Sequence, residues 1–377
     1  MSDHGGWEVT TWGAVSDLRY GKALRGYRET GGDVPVFGTN GPVGFTDTPQ
    51  TNGPGVIIGR KGAYRGVHYS EGPFWVIDTA FYLAPKQVMD MRWAYYRLQL
   101  ADINGLDSGS AIPSTTRESF GAMTVSIPPL PEQQAIAEVL GALDDKIAAN
   151  TALALAADGV IRTEYEKFEM TDVRVGQVAN SPRVSVSPSK VAADELYVGL
   201  EHVGRRHMWL TDGGTAGEVS SAKSAFAAED VLFGKLRPYF HKVVLAPRAG
   251  ISSTDILVVR PSDHGMASVL LAALTSDAVI EQVVAASEGT RMPRTSWKDL
   301  STATIRWPRP DQAAGTAARL DSISRAVIAA VEENRTLAAT RDALLPQLMS
   351  GKLRVRDAEA MAAAAGATTL TGVDDER

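Results

Sequence analysis

The chain repeats a set of short motifs about 175 to 180 residues apart, and each copy precedes a long helical pattern. One repeated motif is a loop with a proline four residues after a glycine, at Gly109–Thr115 and again at Gly289–Thr295. Two more features recur. The first is an apolar run that ends in a cation and is followed by a tyrosine, in Gly55–Lys61 with Tyr64 and in Asp230–Lys235 with Tyr239. The second is a threonine before another apolar run, at Thr79 and at Thr254. A chain with two equivalent halves can bind a partner that is itself nearly two-fold symmetric, and duplex DNA is the commonest such partner.

Length and composition indicate an ordinary globular protein. The 377 residues suffice for two or three domains, and 44% are hydrophobic and 22% charged. The sequence has no cysteine, which excludes disulfides and thiolate metal sites and fits a reducing compartment. We find neither a signal peptide nor a stretch of about 18 uncharged apolar residues that could cross a membrane. We therefore expect a cytoplasmic protein without a membrane partner.

The net charge of −6 argues at first against nucleic acid as a partner. The acidic excess is local, however, because residues 126–170 carry 3 basic and 8 acidic side chains, whereas residues 171–309 carry 16 and 14. Without a basic excess, non-specific binding to phosphates should be weak. Tight binding of DNA would need a basic partner or good contacts to the bases.

Residues 1–125 and 171–309 have the texture of two similar β-rich domains. Glycine-rich turns separate short apolar runs in both, which is typical of strands and hairpins. Longer helices are predicted over Met89–Ala101 and Met266–Ala286. The overall prediction is an α+β fold with an internal pseudo-two-fold repeat.

A long helix is predicted after each domain, in residues 126–170 and 310–353. Pro131 and Glu132 are favourable residues for the start of the first helix. Apolar residues then alternate at steps of three and four, which is the signature of a coiled coil. The residues of this seam are Ile136, Leu140, Leu143, Ile147 and Asn150 in the first helix, and Leu320, Ile323, Val327, Asn334 and Leu337 in the second. The two asparagines are predicted to fix the register, as single polar seam residues do.

The two seams are predicted to pair with each other as an antiparallel coiled coil that separates the β-rich domains. The alternative is that each helix packs on its own domain. Pro346 argues against an unbroken seam at the end of the second helix, because proline removes a backbone donor. Residues 354–377 are predicted to be a flexible, frayed tail.

Three passages resemble a known family. Ile127-Pro128-Pro129-Leu130-Pro131-Glu132-Gln133, with the heptads that follow it, is similar to the central conserved region of type I restriction–modification specificity subunits. Leu344–Leu353 resembles the segment that ends the second conserved helix of that family, and Gly109–Thr115 resembles the loop that precedes each such helix. The similarity covers nearly the whole chain. The second copy departs from the pattern at Arg309 and Asp311.

The resemblance implies two target-recognition domains, each of which reads one half of a split duplex DNA site through the major groove. It implies that the helices set the length of the unread spacer and dock two modification (methyltransferase) subunits, which restriction subunits then join. S-adenosylmethionine, ATP and magnesium would bind those partners, so this chain would hold no cofactor and would not be an enzyme.

The candidate DNA-binding residues are cations and tyrosines, most of them in glycine-rich loops. Arginine can bond guanine O6 and N7 together, lysine can neutralise phosphate, and tyrosine can stack or donate its hydroxyl. The candidates are Arg60, Lys61, Tyr64 and Arg65 in the first half, and Arg205, Arg206, Lys235, Arg237, Tyr239, Lys242, Arg291 and Arg294 in the second. The alternative is a pair of solvated hairpin tips with the tyrosines packed inward.

The sequence predicts no catalytic residue and no metal site. It lacks a P-loop and a Gly-x-Ser-x-Gly elbow, and no carboxylate cluster accompanies its histidines. Three other functions remain open: a specificity subunit of a related phage-defence system, a free-standing two-domain enzyme, and a protein-binding scaffold. Co-purified subunits, activity of the chain alone and retention of specific DNA by the assembled complex would distinguish them.

Overall fold

The structure is a computed structural model that describes residues 6–28, 31–106, 113–286 and 293–367. The chain divides into two compact units, Met1–Lys146 with Thr336–Arg377 as unit 1, and Ile147–Arg335 as unit 2. Both divisions fall inside long helices rather than at the predicted domain boundaries. Each unit therefore contains one β-rich domain and a part of both long helices.

Within the described residues, unit 1 begins with a domain of nine strands and three short helices. Its elements are β1 Glu8–Thr11, α1 Trp12–Val15, β2 Ser16–Tyr20, β3 Val34–Gly38, β4 Gly41–Thr46, β5 Gly55–Gly59, β6 Val67–Ser70, β7 Trp75–Val76, β8 Ala80–Pro85, α2 Met91–Gln99, α3 Arg117–Gly121 and β9 Thr124–Ile127. The first long helix follows as α4, Leu130–Glu166. The strands form sheets in the orders β1-β9, β2-β8-β5-β6 and β4-β3-β7.

Unit 2 contains the second domain between the two long helices. Its elements are β10 Met170–Arg174, α5 Val175–Val178, β11 Ala179–Asn180, β12 Ser185–Val186, β13 Leu196–Val198, β14 Gly214–Thr215, β15 Lys223–Phe226, β16 Val231–Gly234, β17 Val243–Leu245, β18 Gly250–Ser252, β19 Ile256–Pro261, α6 Ala267–Leu274, α7 Asp277–Ala286, α8 Trp297–Thr302 and β20 Thr304–Pro308. The second long helix is α9, Ala313–Met349. The sheet orders are β10-β20, β11-β19-β16-β17 and β12-β15-β18-β13-β14.

The two domains share one plan of strand pairing. Each is closed by an antiparallel pair between its first and last strands, β1 with β9 and β10 with β20, directly before a long helix. Each contains a four-stranded sheet of matching order and one parallel pair, β3 with β7 and β13 with β18. The predicted α+β class with an internal repeat is confirmed.

Strand pairing also corrects the alignment of the repeat by one residue. Gly59 pairs with Ala80, and its counterpart Gly234 pairs with Ile256, so Thr79 corresponds to Asp255 and not to the predicted Thr254. The Gly59 amide donates to the carbonyl of Gly66, whereas the Gly234 amide donates to the carbonyl of Lys242. The loop that follows is therefore one residue longer in the second half. A constant offset in sequence could not show this insertion.

In unit 2 the two long helices pair in opposite directions. The Asn150 side-chain amide donates to the carbonyl of Ala330 (3.3 Å) and to Asn334 Oδ1 (3.0 Å), and near the other end Arg319 pairs with Glu164 (3.1 Å). Asn150 is 6% exposed, so its amide needs these partners. The predicted antiparallel coiled coil with an asparagine in its seam is confirmed.

The same helices also pack on their own domains, so the two arrangements weighed from the sequence coexist. In unit 2, Ile161 belongs to one apolar cluster with sheet and helix residues such as Val259 and Leu271. In unit 1, Asp144 accepts from Arg341 of α9 (2.7 Å) and from the hydroxyl of Tyr96 in α2 (2.6 Å). Seven seam residues are buried and three are half-buried; the latter are Ile147, Ile323 and Asn334.

Two helical predictions differ from the structure. The helix expected over Met266–Ala286 is two helices, since Thr275 and Ser276 turn their hydroxyls back onto the carbonyls of Ala272 and Ala273. The tail expected to be frayed contains a helix, α10 Val355–Ala364, in which Ala358 and Ala362 are fully buried. Pro346 does not end α9. It lies inside the helix, and the seam continues beyond it to the buried Leu348.

Candidate nucleic-acid interface

In each half the structure brings the two repeated motifs side by side. In the first half, Lys61 pairs with Ser114 across a β-bridge, and the Thr115 amide donates to the carbonyl of Arg60 (2.9 Å). In the second half, Leu236 pairs with Arg294, and the Thr295 amide donates to the carbonyl of Lys235 (2.9 Å). We call these two regions the first and the second junction.

Local sequence explains why each junction has this form. β5 and β16 are buried along their whole length, so the cation that follows each strand is the first residue free to reach the surface. On the other side, Thr116 and Ser296 cap the short helices α3 and α8, and each accepts from the backbone amide three residues on. In each half the end of a buried strand therefore lies beside the residue that precedes a helix cap.

The first junction consists of stacked cations and rings. The guanidinium of Arg60 lies 4.9 Å from the centre of the Tyr20 ring, and that of Arg117 lies 4.8 Å from the same centre. Tyr20 in turn packs on Phe81 at 4.9 Å, and Arg60 Nη1 donates to the carbonyl of Asp78 (2.8 Å). Tyr20 is 45% exposed, so a ring flanked by two cations faces solvent.

The second junction has cations without this stack. Lys235 Nζ donates to the carbonyl of Thr254 (2.6 Å), which is the counterpart of the bond from Arg60 to Asp78. Arg294 forms an ion pair with Asp255 (2.6 Å). Partial burial lowers the pKa of Lys235, and the charges of Arg294 and Arg183 lower it further, while Asp255 raises it. Three cations therefore lie close together here.

Among the first-half candidates, only Arg65 is withdrawn from the surface. It is 3% exposed, its backbone amide donates to Asn104 Oδ1 (2.9 Å), and its Nη2 donates to the Asn104 carbonyl. Arg65 therefore lies inside the domain and not in a solvated loop, because the bond from Nη2 holds its guanidinium there. Lys61 is exposed and Tyr64 is 79% exposed, so the alternative of an inward-packed tyrosine does not apply to Tyr64.

The remaining second-half candidates form a separate patch beside the second junction. Arg205 lies over the Phe240 ring at 3.8 Å, Tyr239 packs edge-on against the same ring, and Lys242 donates to the carbonyl of Leu200. Arg206 pairs with Asp277 (3.0 Å) and also contacts His241. Arg237 is exposed and has a left-handed backbone (φ 51°), with its amide bonded to the Pro293 carbonyl. Arg291 lies outside the described residues, as do Gly109–Ile112 and Gly289–Met292 of the two loops.

The sequence did not single out Tyr20, Arg117, Arg183, Lys223 or Trp297, which the structure places at the junctions. Arg117 and Trp297 occupy the same position, directly after the capping residues Thr116 and Ser296. That position is readable from the repeat, so these two could have been found. The others lie on strands or loops away from the motifs, and only sheet pairing brings them near.

The described residues give no sign of metal chemistry or of a membrane span. No group of three or more His, Asp or Glu side chains in that part of the chain could hold a metal ion. Within the described residues no single helix is long and apolar enough to cross a membrane. Helices α6 and α7 pass that test only together, with a bend of 63° between them.

The chain thus has two β-rich halves, and in each half a junction precedes a long helix. Such a chain belongs to a class of internally duplicated α+β proteins with cationic loops at equivalent places. Comparison with known proteins shows what this chain is similar to. Residues 4–155 match the family model described as "Type I restriction modification DNA specificity domain".

The chain is also similar to three known proteins. The specificity subunit of the type I restriction enzyme EcoprrI from Escherichia coli is 26% identical over 140 residues, which is 36% of this chain and 35% of that protein. The crystal structure of a type I restriction–modification S subunit from M. genitalium matches 92% of this chain and 97% of its own, with a TM-score of 0.64 and 16% identity. An HsdS subunit from Thermoanaerobacter tengcongensis matches with a TM-score of only 0.31 at 16% identity.

The aligned segment thus spans about a third of the length of the curated relative, while the fold is shared over nearly the whole chain. The resemblance to type I specificity subunits that the sequence predicts is confirmed. Residues 4–155 match the model of that family, and the second half repeats the plan of strand pairing of the first.

Proposed function

We propose that this chain is the sequence-specificity subunit of a type I restriction–modification complex. It binds a bipartite site in duplex DNA, with one half-site for each β-rich domain, and it docks two modification subunits and the restriction subunits. The proposal is supported by the family match of the first half and by the fold that the second half shares with it.

The observation that carries the proposal is the equivalence of the two junctions. In both halves a cation follows a buried strand, and its carbonyl accepts from a threonine amide beside a helix cap. Arginine and lysine at such sites can bond base edges or neutralise phosphates. Duplication of this unit in one chain suits a target that is read in two parts.

The chain itself turns nothing over under this proposal. Methyl transfer from S-adenosylmethionine belongs to the modification subunits, and cleavage with ATP and magnesium belongs to the restriction subunits. The paired helices would set the spacer length and offer the docking surface, and the complex would act in the cytoplasm. Methylation or cleavage by the purified chain alone would contradict this division and favour a free-standing enzyme.

A domain exchange tests the separate reading of two half-sites. Residues 1–125 are replaced by the first domain of another family member, and the assembled complex is assayed for its methylated site by sequencing. The expected result is a change in one half-site only. The matched control exchanges residues 171–309 and should alter the other half-site, whereas a change of both halves by either exchange would contradict the proposal.

A second experiment tests the role of the helices in spacing. One heptad is inserted into α4 and one into α9, so that the 3.5-residue seam is kept. The preferred spacer should change, or the complex should fail to assemble. A fully active complex that keeps the original spacer would exclude the helices as the element that sets it.

A further inference from the structure

A cleft beside the second junction has a strongly positive wall. It has a volume of about 480 Å³ and is lined by Arg183, Lys223, Lys235 and Arg294, with Trp297 at the same wall. The described residues that line it include no aspartate or glutamate. The volume lies within the range of about 300–1,000 Å³ that is usual for ligand sites.

The four cations come from different parts of the domain. Lys235 follows β16 and is fixed by its bond to the Thr254 carbonyl (2.6 Å). Arg294 lies in the loop before α8 and pairs with Asp255 (2.6 Å), which stands outside the cleft lining. Arg183 follows β11 and is exposed. It lies close enough to Lys235 for its positive charge to lower the pKa of that lysine.

Lys223 is the most unusual of the four, because it is only 6% exposed. Its Nζ donates to the backbone carbonyl (2.8 Å) and to the hydroxyl (2.7 Å) of Ser221, and it lies 5.6 Å from the centre of the Tyr197 ring. These groups are neutral, and within the described residues no acidic side chain lines the cleft beside them. A buried charge is costly unless an opposite charge approaches it.

Like charges gathered in a cleft repel each other, and an anion that enters the cleft relieves the repulsion. We propose that this cleft binds a phosphate group of the DNA backbone, so that the second half anchors the complex to the duplex. The inference rests on the proposed function. A phosphate fits because it offers several acceptor oxygens to the guanidinium groups of Arg183 and Arg294 and to the ammonium of Lys235.

The first junction lacks this arrangement. Strand pairing aligns Asp17 with Asn180, and counting three residues on from each gives Tyr20 as the counterpart of Arg183. The counterpart of Arg294 is Ser114. Two of its cations, Arg60 and Arg117, lie over the Tyr20 ring, and the third, Lys61, is exposed beside Ser114. The anchoring interaction with phosphate is therefore assigned to the second half alone.

The test measures binding of the assembled complex to the duplex that it selects from random DNA, over a range of salt concentrations. The variants are Arg183→Ala and the double variant Arg183→Ala with Lys235→Gln. The matched control is Arg248→Ala, which removes one charge from an exposed position of the same unit outside the cleft lining. Urea unfolding of each variant confirms that the fold is kept.

We expect the slope of log K against log [salt] to become shallower by about 1 for the single variant and about 2 for the double variant. Affinity at fixed salt should fall roughly tenfold for each cation replaced, equally for all sequences, with half-site choice unchanged. Unchanged slopes, or an equal effect of the control, would overturn the inference.

Two further outcomes separate the sources of error. In the first, inorganic phosphate at constant ionic strength stabilises the wild-type chain against heat but not the double variant, while the salt slopes of DNA binding are equal for both. The cleft then takes a free anion, and the assignment to DNA is wrong. If the wild-type complex retains no duplex in preference to any other, the proposed function itself fails before the variants are compared.

Discussion

The first and second junctions have the same backbone but different side chains. Arg60 and Lys235 both follow a buried strand and bond an equivalent carbonyl, those of Asp78 and Thr254. Around Arg60 the neighbours are aromatic, with Tyr20 and Phe81 in contact. Around Lys235 the neighbours are Arg294 and Arg183, so the second junction is a cationic cleft where the first is a stack.

This difference separates what the fold requires from what a target would require. Backbone pairing is the same in both junctions because buried amides and carbonyls must be bonded wherever the chain runs. Around the junction cations, Tyr20, Arg183 and Arg294 reach solvent and are not constrained in this way, whereas Phe81 is buried. A duplicated frame with unlike surfaces is suited to two half-sites of different sequence.

The largest effect is expected from the buried residues that hold the frame. Phe120 and Leu300 occupy the same position, four residues after the caps of α3 and α8, and are 1% and 0% exposed. Phe120→Ala should cost about 3–5 kcal/mol and Leu300→Ala about 2–5 kcal/mol of stability, because each leaves a cavity. Urea unfolding measures both, and a cost below about 1 kcal/mol at either position would break the equivalence of the halves.

The surface of the junctions should matter for binding and not for folding. Arg60→Ala should cost the assembled complex about 1–3 kcal/mol in affinity if the guanidinium bonds a guanine, and should relax the preference at one base pair. Replacing Lys235 should weaken binding uniformly, as expected when a cation that neutralises phosphate is removed. Affinities for a panel of single-base site variants distinguish the two, and identical profiles for both variants would show that the junctions do not differ in role.

The two parts of the helix pair should respond differently to salt. In unit 2, Asn150→Ala removes the hydrogen bonds of a buried amide to Ala330, Glu333 and Asn334. It should cost about 1–3 kcal/mol at any ionic strength, because Asn150 carries no charge. In unit 1, Arg341→Ala breaks a half-exposed ion pair with Asp144 and should cost up to about 1 kcal/mol, less in high salt. Unfolding in low and high salt checks this, with Arg325→Ala, exposed on the same helix, as the control. A salt-dependent cost at Asn150 would contradict it.

The smallest effect is a dependence of stability on pH. Burial lowers the pKa of His68 in unit 1 and of His241 in unit 2, and the charge of Arg206 lowers that of His241 further. As pH falls below about 6.5, the unfolded chain takes up a proton before the folded one does, so both units should lose stability. Urea unfolding between about pH 7.5 and pH 5 measures the loss.

Three variants test that assignment. His241→Gln should reduce the pH dependence of unit 2, and Arg206→Ala should reduce it in part, since it removes one of the causes. His68→Gln should act on unit 1 alone. If the pH dependence of unit 2 is the same with and without His241, another group is responsible.

Much of the architecture could be predicted from the sequence because it depends on periodicity. The 3-4 spacing of apolar residues in each long helix predicts paired helices, because a seam of this kind leaves water when two helices pack along it. The repeated glycine–proline loops marked the duplication for the same reason, since turns depend on local backbone preferences. The predicted junction cations Arg60 and Lys235 came from the other repeated motif, the apolar run that ends in a cation.

Other features could not be predicted because they depend on distant partners. The loop before Lys242 is one residue longer than its counterpart, and only strand pairing reveals the insertion. Arg65 looked like its basic neighbours, but its contact with Asn104, 39 residues away, buries it. Tyr20 and Arg183 join the junctions through sheet pairing that no local pattern encodes.

The sequence by itself determined that this protein has two halves, each with a β-rich domain and a long amphipathic helix, because repeats and periods are local properties of a chain. The tertiary structure alone decided which side chains share a surface. Residues far apart in sequence meet only when sheets close and helices pack, and the equivalent cation therefore lies on an aromatic ring in one half and in a positive cleft in the other.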